Sequence, residues 1–367
     1  MYITNAYIDG FRNLKEISIK PHNNINIIVG NNAQGKTNFI EALWVLSGCK
    51  SFRGAHERDF INFNGKNAII QAEFENSVRK QKICFTYYKA KELKKKIKLN
   101  DIELKSTINL YENYQCIAFT PNSLDIVKGS PCVRRNFIDM CISQIKPKYI
   151  RYINKANNIL LQRNAVIRNI IEGKARIDDL ESWNYSLAQI STYISVMRAL
   201  YIKTLDEYVN EILNYITDSN EKIKVSYISS VYNPDEEKIL DEYLSILNKS
   251  YKIDLKYGYS TIGIHHDDIS IILDGKKSRD FASQGQARSI VIALKLAQAR
   301  ILSRQNESPP IMFFDDIFSE LDLIRQGKIM NFSQNMQIFL TCCDKNVCKI
   351  ENAKLFEMDT GKITEVN

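Results

Sequence analysis

The sequence predicts an α/β protein in which an N-terminal and a C-terminal segment form one core around a mostly helical insertion. Three observations support this prediction. A strand, a glycine-rich loop and a helix follow one another in residues 25–46. An apolar strand at residues 311–314 ends in two aspartates, and the chain between these regions is dominated by helical periodicity. Since nearly 280 residues separate Lys36 from Asp315, the two ends must come together if they form one site.

The composition sets broad limits. The chain has 367 residues, and 44% of them are hydrophobic, which is usual for a folded chain of more than one domain. No apolar run is long enough to cross a membrane and residues 1–5 do not resemble a signal peptide, so we expect a cytoplasmic protein without a membrane partner. The eight cysteines form no C-x-x-C pair, which favours reduced thiols over zinc. The net charge of +8 fits either a solvated basic surface or contact with a polyanion.

The glycine-rich loop matches the phosphate-binding pattern G-x-x-x-x-G-K-[ST] between a predicted strand and a predicted helix that ends before Gly48. Gly30 and Gly35 let the backbone curl so that successive N–H groups point at phosphate oxygens. Lys36 is placed to neutralise the β and γ phosphates, and the Thr37 hydroxyl to ligate Mg²⁺. The pattern therefore predicts a nucleoside triphosphate site with Mg²⁺. The residues expected to contact the nucleotide are Gly30, Asn31, Asn32, Ala33, Gln34, Gly35, Lys36, Thr37 and Asn38.

A P-loop needs an acidic partner for its metal, usually at the end of a neighbouring strand. The stretch PPIMFFDD supplies one, because Pro309 and Pro310 interrupt the preceding structure and an apolar strand then leads into Asp315 and Asp316. We expect Asp315 to hold Mg²⁺ through water, and Asp316 to orient or deprotonate the attacking water.

A second anion-binding element is predicted upstream, in the stretch SQGQARS. Ser283 is a natural N-cap for an apolar helix that runs to Leu302, and its hydroxyl and the helix dipole together suit a phosphate. One P-loop already serves one nucleotide, so the sequence suggests that Ser283 contacts the γ-phosphate held by another copy. A plain capped helix is the alternative.

These features, in this order, resemble the head of ABC-type ATPases, and in detail the chain is similar to the RecF family. The matching stretches are GFRNL (10–14), VGNNAQGKTNFIEAL (29–43), KGSPCVRRNFIDM (128–140), GIHHDDISIILDGK (263–276), SQGQARS (283–289) and FFDDIFSELD (313–322). The resemblance implies an ABC-type P-loop ATPase head with an inserted helical arm. The domain boundaries expected are 1–130 and 260–367 for the head and 131–259 for the arm.

The resemblance also assigns further site residues. Ser283 with Gln284, Gly285 and Gln286 would sense the γ-phosphate across a dimer. Asp322 would lie at the dimer interface. Thr341 falls where such heads place a γ-phosphate switch residue, although the usual histidine is absent.

The function implied by the resemblance is that of a nucleoid-associated, DNA-binding mediator in replication, repair of DNA damage, the SOS response and homologous recombination. The protein would bind ATP and Mg²⁺, dimerise on ATP, hydrolyse it slowly in a DNA-dependent manner, and help load recombinase at single-stranded gaps with RecR-like and RecO-like partners. An ATP-gated structural DNA clamp in which hydrolysis is not essential is the alternative. A GTPase is disfavoured because neither Asn154-Lys155 nor Asn248-Lys249 continues as Asn-Lys-x-Asp.

The insertion carries a long helical seam. From Trp183 to Tyr215 the apolar residues recur at steps of three and four, which predicts one helix of about 35 residues, preceded by a helix over 148–171. An arm of this length is far shorter than the coiled coils of SMC proteins.

Two basic groups are candidates for DNA contact. Lys94, Lys96 and Lys98 alternate on one face of a predicted strand that turns at Asn100-Asp101, and the alternative is a solvated sheet edge. The second group contains Arg134 and Arg135 beside Lys128, Lys146, Lys148 and Arg151. Arg134 and Arg135 could instead pair with Asp139 or with backbone. Such contacts would be salt-dependent and insensitive to base sequence.

Overall fold

The computed structural model describes residues 1–76, 78–90, 92–218, 221–231, 236–306, 308–343 and 352–366. The strands are Tyr2–Asp9 (β1), Ile17–Ile19 (β2), Ile25–Val29 (β3), Asn67–Glu75 (β4), Lys80–Tyr88 (β5), Lys94–Leu99 (β6), Ile102–Glu103 (β7), Cys116–Phe119 (β8), Ile223–Ile228 (β9), Asp268–Leu273 (β10), Lys276–Lys277 (β11), Ile311–Asp315 (β12), Ile338–Cys342 (β13), Ala353–Asp359 (β14) and Lys362–Val366 (β15). The helices are Lys36–Val45 (α1), Leu110–Asn113 (α2), Asp125–Lys128 (α3), Pro131–Ile145 (α4), Tyr149–Ile171 (α5), Glu181–Thr217 (α6), Glu236–Tyr257 (α7), Ser278–Phe281 (α8), Gln284–Asn306 (α9) and Leu323–Phe332 (α10). Short 3₁₀ helices lie at Glu57–Phe60, Pro121–Leu124, Ile177–Leu180 and Phe318–Glu320.

The chain forms two compact units, and the first contains Met1–Leu124, Ile212–Ser219 and Val291–Asn367. Its central sheet has the order β15-β14-β3-β13-β12-β8, in which every neighbouring pair is parallel except β14 and β15. Strands β3, β8, β12 and β13 are buried along their whole length, which explains why they appear in the sequence as apolar runs rather than as alternating patterns. Because the strands are parallel, the segments that follow β3, β12 and β13 emerge at the same edge of the sheet.

A second sheet of the first unit is antiparallel, with the order β2-β1-β4-β5-β6-β7. Buried and more exposed residues alternate along β4 and β5, as expected when only one face of a sheet packs on a core. Among the cross-strand pairs, Thr86 opposes Lys96 and Cys84 opposes Lys98. This register places the exposed lysines of β6 on the solvent face.

The second unit contains Asp125–Glu211 and Asn220–Ile290, and it combines helices with the three-stranded sheet β11-β10-β9. The predicted long helix is confirmed as α6, which has 37 residues, and the helix predicted before it is confirmed as α5. Buried ion pairs join the helices: Arg163 pairs with Asp254 at 2.8 Å, with both side chains inaccessible to solvent. Removing one partner of such a pair costs about 3–5 kcal/mol, because the other charge is left buried.

One predicted domain boundary does not coincide with the division of the chain into compact units. The boundary expected between residues 259 and 260 falls inside the second unit. Strand β9 lies before this boundary and pairs with β10 after it, from the pair of Ile223 with Leu273 to the pair of Ile228 with Asp268. Pairing between strands so distant along the chain leaves no local signal in the sequence. In the part of the chain that the structure describes, no helix combines the length and the apolar character needed to cross a membrane.

Candidate nucleotide-binding site

The predicted glycine-rich loop joins β3 to α1, and Lys36 is the first residue of the helix. The Lys36 ammonium donates hydrogen bonds to the carbonyl oxygens of Gly30 at 2.6 Å and Asn31 at 3.0 Å. Only 7% of Lys36 is exposed, so the positive charge lies inside the curve of the loop. A loop that folds around an ammonium beside a helix N-terminus is a receptor for phosphate.

The two glycines of the pattern are required by the backbone. A Cβ atom on Gly30 would lie 2.3 Å from the carbonyl oxygen of Met358. Gly35 has a φ of +120°, a conformation that other residues rarely adopt. Any side chain at these positions would therefore displace the loop or strain it.

Three hydroxyl and carboxylate groups meet where β3, β12 and β13 end. The hydroxyls of Thr37 and Thr341 each donate to Oδ1 of Asp315 at 3.0 Å. The Asp316 N–H donates to the Thr341 hydroxyl at 2.9 Å, and Asp316 has a φ of +55°. The parallel register brings these groups together, because Asp315 lies opposite Thr341 in the β12–β13 pair.

Asp315 is a buried carboxylate close to a second carboxylate, that of Asp316, and a bound cation would offset their negative charge. Burial raises the pKa of Asp315, hydrogen bonds from Thr37 and Thr341 lower it, and the charge of Asp316 raises it again. Hydroxyl and carboxylate oxygens are ligands that Mg²⁺ takes in nucleotide sites. The residues predicted to hold Mg²⁺, Thr37 and Asp315, are therefore adjacent and fit that role.

A cavity of about 570 Å³ opens beside these groups, within the usual range for small-molecule sites. The predicted residues that line it are Asn32, Ala33, Gly35, Lys36, Thr37, Asn38, Asp315, Asp316 and Thr341. The lining residues that the sequence did not single out are Asn13, Phe52, Arg53, Thr120, Pro121 and Asn122.

Arg53 brings a second cationic group to this cavity. Its guanidinium donates to Oδ1 of Asn38 at 2.8 Å, and the Asn38 amide donates to Oδ1 of Asn13 at 2.7 Å. Asn13 belongs to the stretch GFRNL, which matches the RecF family but to which the sequence analysis assigns no function. No local pattern in residues 51–53 points to Arg53.

Gln34 holds the loop in place. Its carbonyl oxygen accepts from the Gly361 N–H at 3.0 Å, and its side-chain Oε1 accepts from the Thr360 N–H at 2.6 Å. The turn between β14 and β15 therefore occupies the polar groups of Gln34. The side-chain Oε1 and the carbonyl oxygen of Gln34 therefore support the loop, and the nucleotide contact predicted for Gln34 stays a prediction for its backbone N–H.

The predicted N-cap at Ser283 is confirmed. The Ser283 hydroxyl accepts from the Gln286 N–H at 3.1 Å, and Oε1 of Gln286 accepts from the Ser283 N–H at 2.9 Å. This reciprocal arrangement is a capping box. Ser283, Gln284 and Gly285 are exposed, so the N-terminus of α9 presents an open surface. Their predicted γ-phosphate contact stays a prediction.

Two other predicted residues serve local structure. The Asp322 carboxylate caps α10 by accepting from the Arg325 N–H at 2.9 Å, and its interface role stays a prediction. Thr341 lies inside β13, which extends to Cys342. Because its hydroxyl is engaged by Asp315 and Asp316, Thr341 orients the two acids, and the switch role stays a prediction.

The lysines of β6 have the predicted arrangement. Lys94, Lys96 and Lys98 are exposed, whereas Ile97 is buried and Lys95 is half-buried over the ring of Phe85. Asn100 and Asp101 have φ values of +50° and +64°, which fits a two-residue hairpin turn with left-handed residues.

The DNA contact predicted for Arg134 requires a correction, whereas the one predicted for Arg135 stays a prediction. Arg134 is 4% exposed, and its guanidinium makes two hydrogen bonds to the carboxylate of Asp268, at 2.7 and 2.9 Å. Arg135 donates to the carbonyl oxygen of Asp267 at 2.6 Å. The DNA contact predicted for Arg134 is therefore replaced by a structural role. Its partner is Asp268 and not Asp139, which pairs with Arg198.

Comparison with known proteins now decides the family. A family model described as the RecF/RecN/SMC N-terminal domain matches residues 2–364. The chain is 36% identical to the DNA replication and repair protein RecF of Acetivibrio thermocellus, over 96% of both chains. The chain belongs to the RecF family. The RecF of Clostridium acetobutylicum is 34% identical over the full length of both chains.

Solved structures agree with this assignment. The fold matches that of the recombination mediator protein RecF with ATP, a member of the RecFOR pathway, with a TM-score of 0.93 and 31% identity over 100% of this chain and 98% of that one. An SMC head bound to the C-terminal winged-helix domain of ScpA matches with a TM-score of 0.58 and 16% identity, which shows a shared fold alone. The predicted fold class, an ABC-type ATPase head of the SMC and RecF kind, is confirmed.

Proposed function

We propose that this chain is an ATP-dependent, DNA-binding mediator of recombination and repair of the RecF type. The observation that carries the proposal is the cluster of Thr37, Asp315 and Thr341 in the cavity that also contains the Lys36 ammonium. These are the groups needed to hold a triphosphate and its metal in one place. The similar RecF structure solved with ATP supports the same ligand.

The roles within one copy follow from the positions of the side chains. Lys36 and the N–H groups at the start of α1 bind the phosphates, and Thr37 and Asp315 hold Mg²⁺. When bound, Mg²⁺ neutralises charge on the phosphate oxygens. Asp316 follows Asp315 at the end of β12 and lines the same cavity, so it is placed to accept a proton from the attacking water.

A second copy of the chain completes the binding site for the γ-phosphate. The N-terminus of α9 is exposed and carries the Ser283 hydroxyl near Gly285, where an added Cβ atom would lie 4.0 Å from the serine Oγ. A phosphate held by the partner's loop could approach this helix end closely, and only a triphosphate extends far enough to do so. ATP would thus join two copies, and hydrolysis would release them.

Dimerisation is the experiment that tests this function. We expect light scattering to report a dimer with ATP and a monomer with ADP or without nucleotide. Ser283→Arg should stay monomeric with ATP, because a large cation then occupies the contact point. Binding of ATP to single copies is the control and should be unchanged in this variant. A native protein that stays monomeric with ATP would contradict the proposal.

The DNA substrate is proposed from charge. The exposed lysines of β6 supply a row of positive charge spaced along a strand. Contact with phosphates alone suits a protein that recognises gapped or junction DNA by shape. Slow, DNA-dependent ATP hydrolysis, RecR-like and RecO-like partners and recombinase loading complete the proposal, and they rest on membership of the RecF family.

The lysine face leads to a prediction about salt. Replacing Lys94, Lys96 and Lys98 with glutamine should weaken binding to gapped DNA about tenfold or more at low salt. It should also reduce the slope of log affinity against log salt by about 2 to 3, since three phosphate contacts are lost. Fluorescence anisotropy with a labelled oligonucleotide measures both quantities.

A matched control for this prediction lies on α7. Lys249, Lys252 and Lys256 are exposed lysines, and replacing them with glutamine changes the net charge by the same amount. We expect that variant to bind DNA nearly as well as the native protein. Equal weakening by the two triple variants would mean that net charge, and not the β6 face, governs binding.

A further inference from the structure

Lys128 makes an unusual set of contacts for an exposed lysine. Its ammonium donates to three backbone carbonyl oxygens: Ala282 at 2.6 Å, Arg279 at 3.1 Å and Ser278 at 3.4 Å. An ammonium has three N–H donors, and each has an acceptor here. The three carbonyls belong to α8 and the residue after it, so Lys128 caps the C-terminal end of this short helix.

The backbone that carries Lys128 is fixed in turn. Lys128 ends α3, and the following Gly129 N–H donates to the Asp125 carbonyl oxygen at 2.9 Å. The Gly129 carbonyl oxygen accepts from the buried guanidinium of Arg134, which is held by Asp268. The lysine therefore extends from an anchored turn, and its ammonium has a defined position.

The contact with Ala282 is next to the predicted phosphate-binding serine. The peptide group that joins Ala282 to Ser283 is planar and rigid. Its carbonyl oxygen accepts from Lys128, and its N–H donates to Oε1 of Gln286 at 2.9 Å. Gln286 is itself held by Glu221 at 2.7 Å. Both ends of this peptide plane are thus fixed, which fixes the direction in which Ser283 leaves it.

We propose that Lys128 is a positioning residue that orients Ser283 for the γ-phosphate of a second copy. This inference rests on the proposed function, because it assumes that Ser283 contacts the partner's nucleotide. Lys128 is not one of the residues that line the nucleotide cavity of its own copy. It sets the geometry of the helix start before the second copy arrives, which lowers the ordering cost of association.

This role differs from the one that the sequence suggests. In the sequence, Lys128 belongs to a basic group that could contact DNA phosphates. An ammonium whose three donors are occupied by carbonyl oxygens must give up those bonds to contact DNA. Removing the charge of Lys128 should weaken self-association if the residue positions Ser283, and should weaken DNA binding if it contacts DNA.

The experiment compares Lys128→Met with Lys128→Arg and with Lys249→Met, which removes an exposed lysine of the same unit that is not expected to contact DNA. Self-association is measured by light scattering over a range of protein concentrations with a slowly hydrolysed ATP analogue. Binding of a fluorescent ATP to single copies, thermal unfolding and affinity for gapped DNA are measured on the same proteins. Because Lys128 is exposed, all variants are expected to fold.

We expect Lys128→Met to weaken nucleotide-dependent association about tenfold or more, since hydrogen bonds from a charged group are lost in each copy. Binding of ATP to single copies should be unchanged, and Lys249→Met should behave as native. Lys128→Arg should restore part of the association, because a planar guanidinium reaches some of the carbonyls but not all three.

The contradicting outcomes are distinct. If native protein associates with the analogue and Lys128→Met associates equally well, the positioning role is wrong while the proposed function stands. If Lys128→Met associates as native and loses affinity for DNA, Lys128 is a DNA contact instead. If native protein does not associate with the analogue at all, the proposed function fails and this inference fails with it.

Discussion

Lys36→Met is expected to lower the affinity for ATP by about 100-fold or more. The Lys36 ammonium is held inside the loop by the carbonyl oxygens of Gly30 and Asn31, where it would face the phosphates. Charge-assisted hydrogen bonds are worth about 1.5–3 kcal/mol each, and every 1.4 kcal/mol changes affinity tenfold. Titration with a fluorescent ATP analogue or by calorimetry measures the effect.

A control lysine separates this effect from a general loss of charge. Lys50 follows α1 in the same unit and is exposed, so Lys50→Met should bind ATP as the native protein does. Thermal unfolding of both variants shows whether the loop variant is folded. Native-like affinity in folded Lys36→Met would place the nucleotide elsewhere.

Asp316→Asn is expected to reduce ATP turnover by about 10²–10³-fold while ATP-dependent association remains. A positioned base contributes about that much to a proton transfer, and an amide cannot accept the proton. Asp316 has a positive φ, which asparagine tolerates well, so the substitution should leave the backbone in place. Phosphate release under saturating ATP and gapped DNA measures turnover, and light scattering measures association.

The same variant separates the proposed ATPase switch from an ATP-gated clamp. Glu112 is an exposed carboxylate of the same unit, and Glu112→Gln is the control for loss of one negative charge. If hydrolysis resets the protein, Asp316→Asn should stay on DNA after ATP is diluted, whereas the native protein dissociates. If dissociation from DNA is unchanged, ATP binding without hydrolysis is sufficient for function, and the ATP-gated clamp is favoured. Unchanged turnover would show that Asp316 is not the base.

The parts of the site that are local in sequence could be predicted. Strand β3, the glycine loop and α1 occupy one continuous stretch, and so do β12 and its two aspartates. The cap at Ser283 is equally local, because its capping box spans four residues. Each depends on residue types whose backbone or hydrogen-bonding needs are strict, which is why the pattern alone indicated the structure.

The parts that depend on distant contacts could not be predicted. Arg53 and Asn13 reach the cavity through the chain of hydrogen bonds to Asn38, and no periodicity reports such a chain. Arg134 looked like a surface base because its partner, Asp268, lies 134 residues away. For the same reason Lys128 could be placed in a basic group but not assigned to its three carbonyls.

The central claim is that Ser283 of one copy completes the binding site of the triphosphate held by the other copy. A mixing experiment tests this claim most directly. Lys36→Met and Ser283→Arg proteins are each inactive alone if both residues are needed. In a mixed dimer, one site combines the intact loop of the Ser283→Arg copy with the intact serine of the Lys36→Met copy. Because neither variant is expected to pair with itself on ATP, the dimers that form in an equal mixture are mixed, and each has one intact site of two, so turnover should return to at most about half of the native value. If Ser283 served the nucleotide of its own copy, no intact site would exist in any pairing, and the mixture would stay inactive.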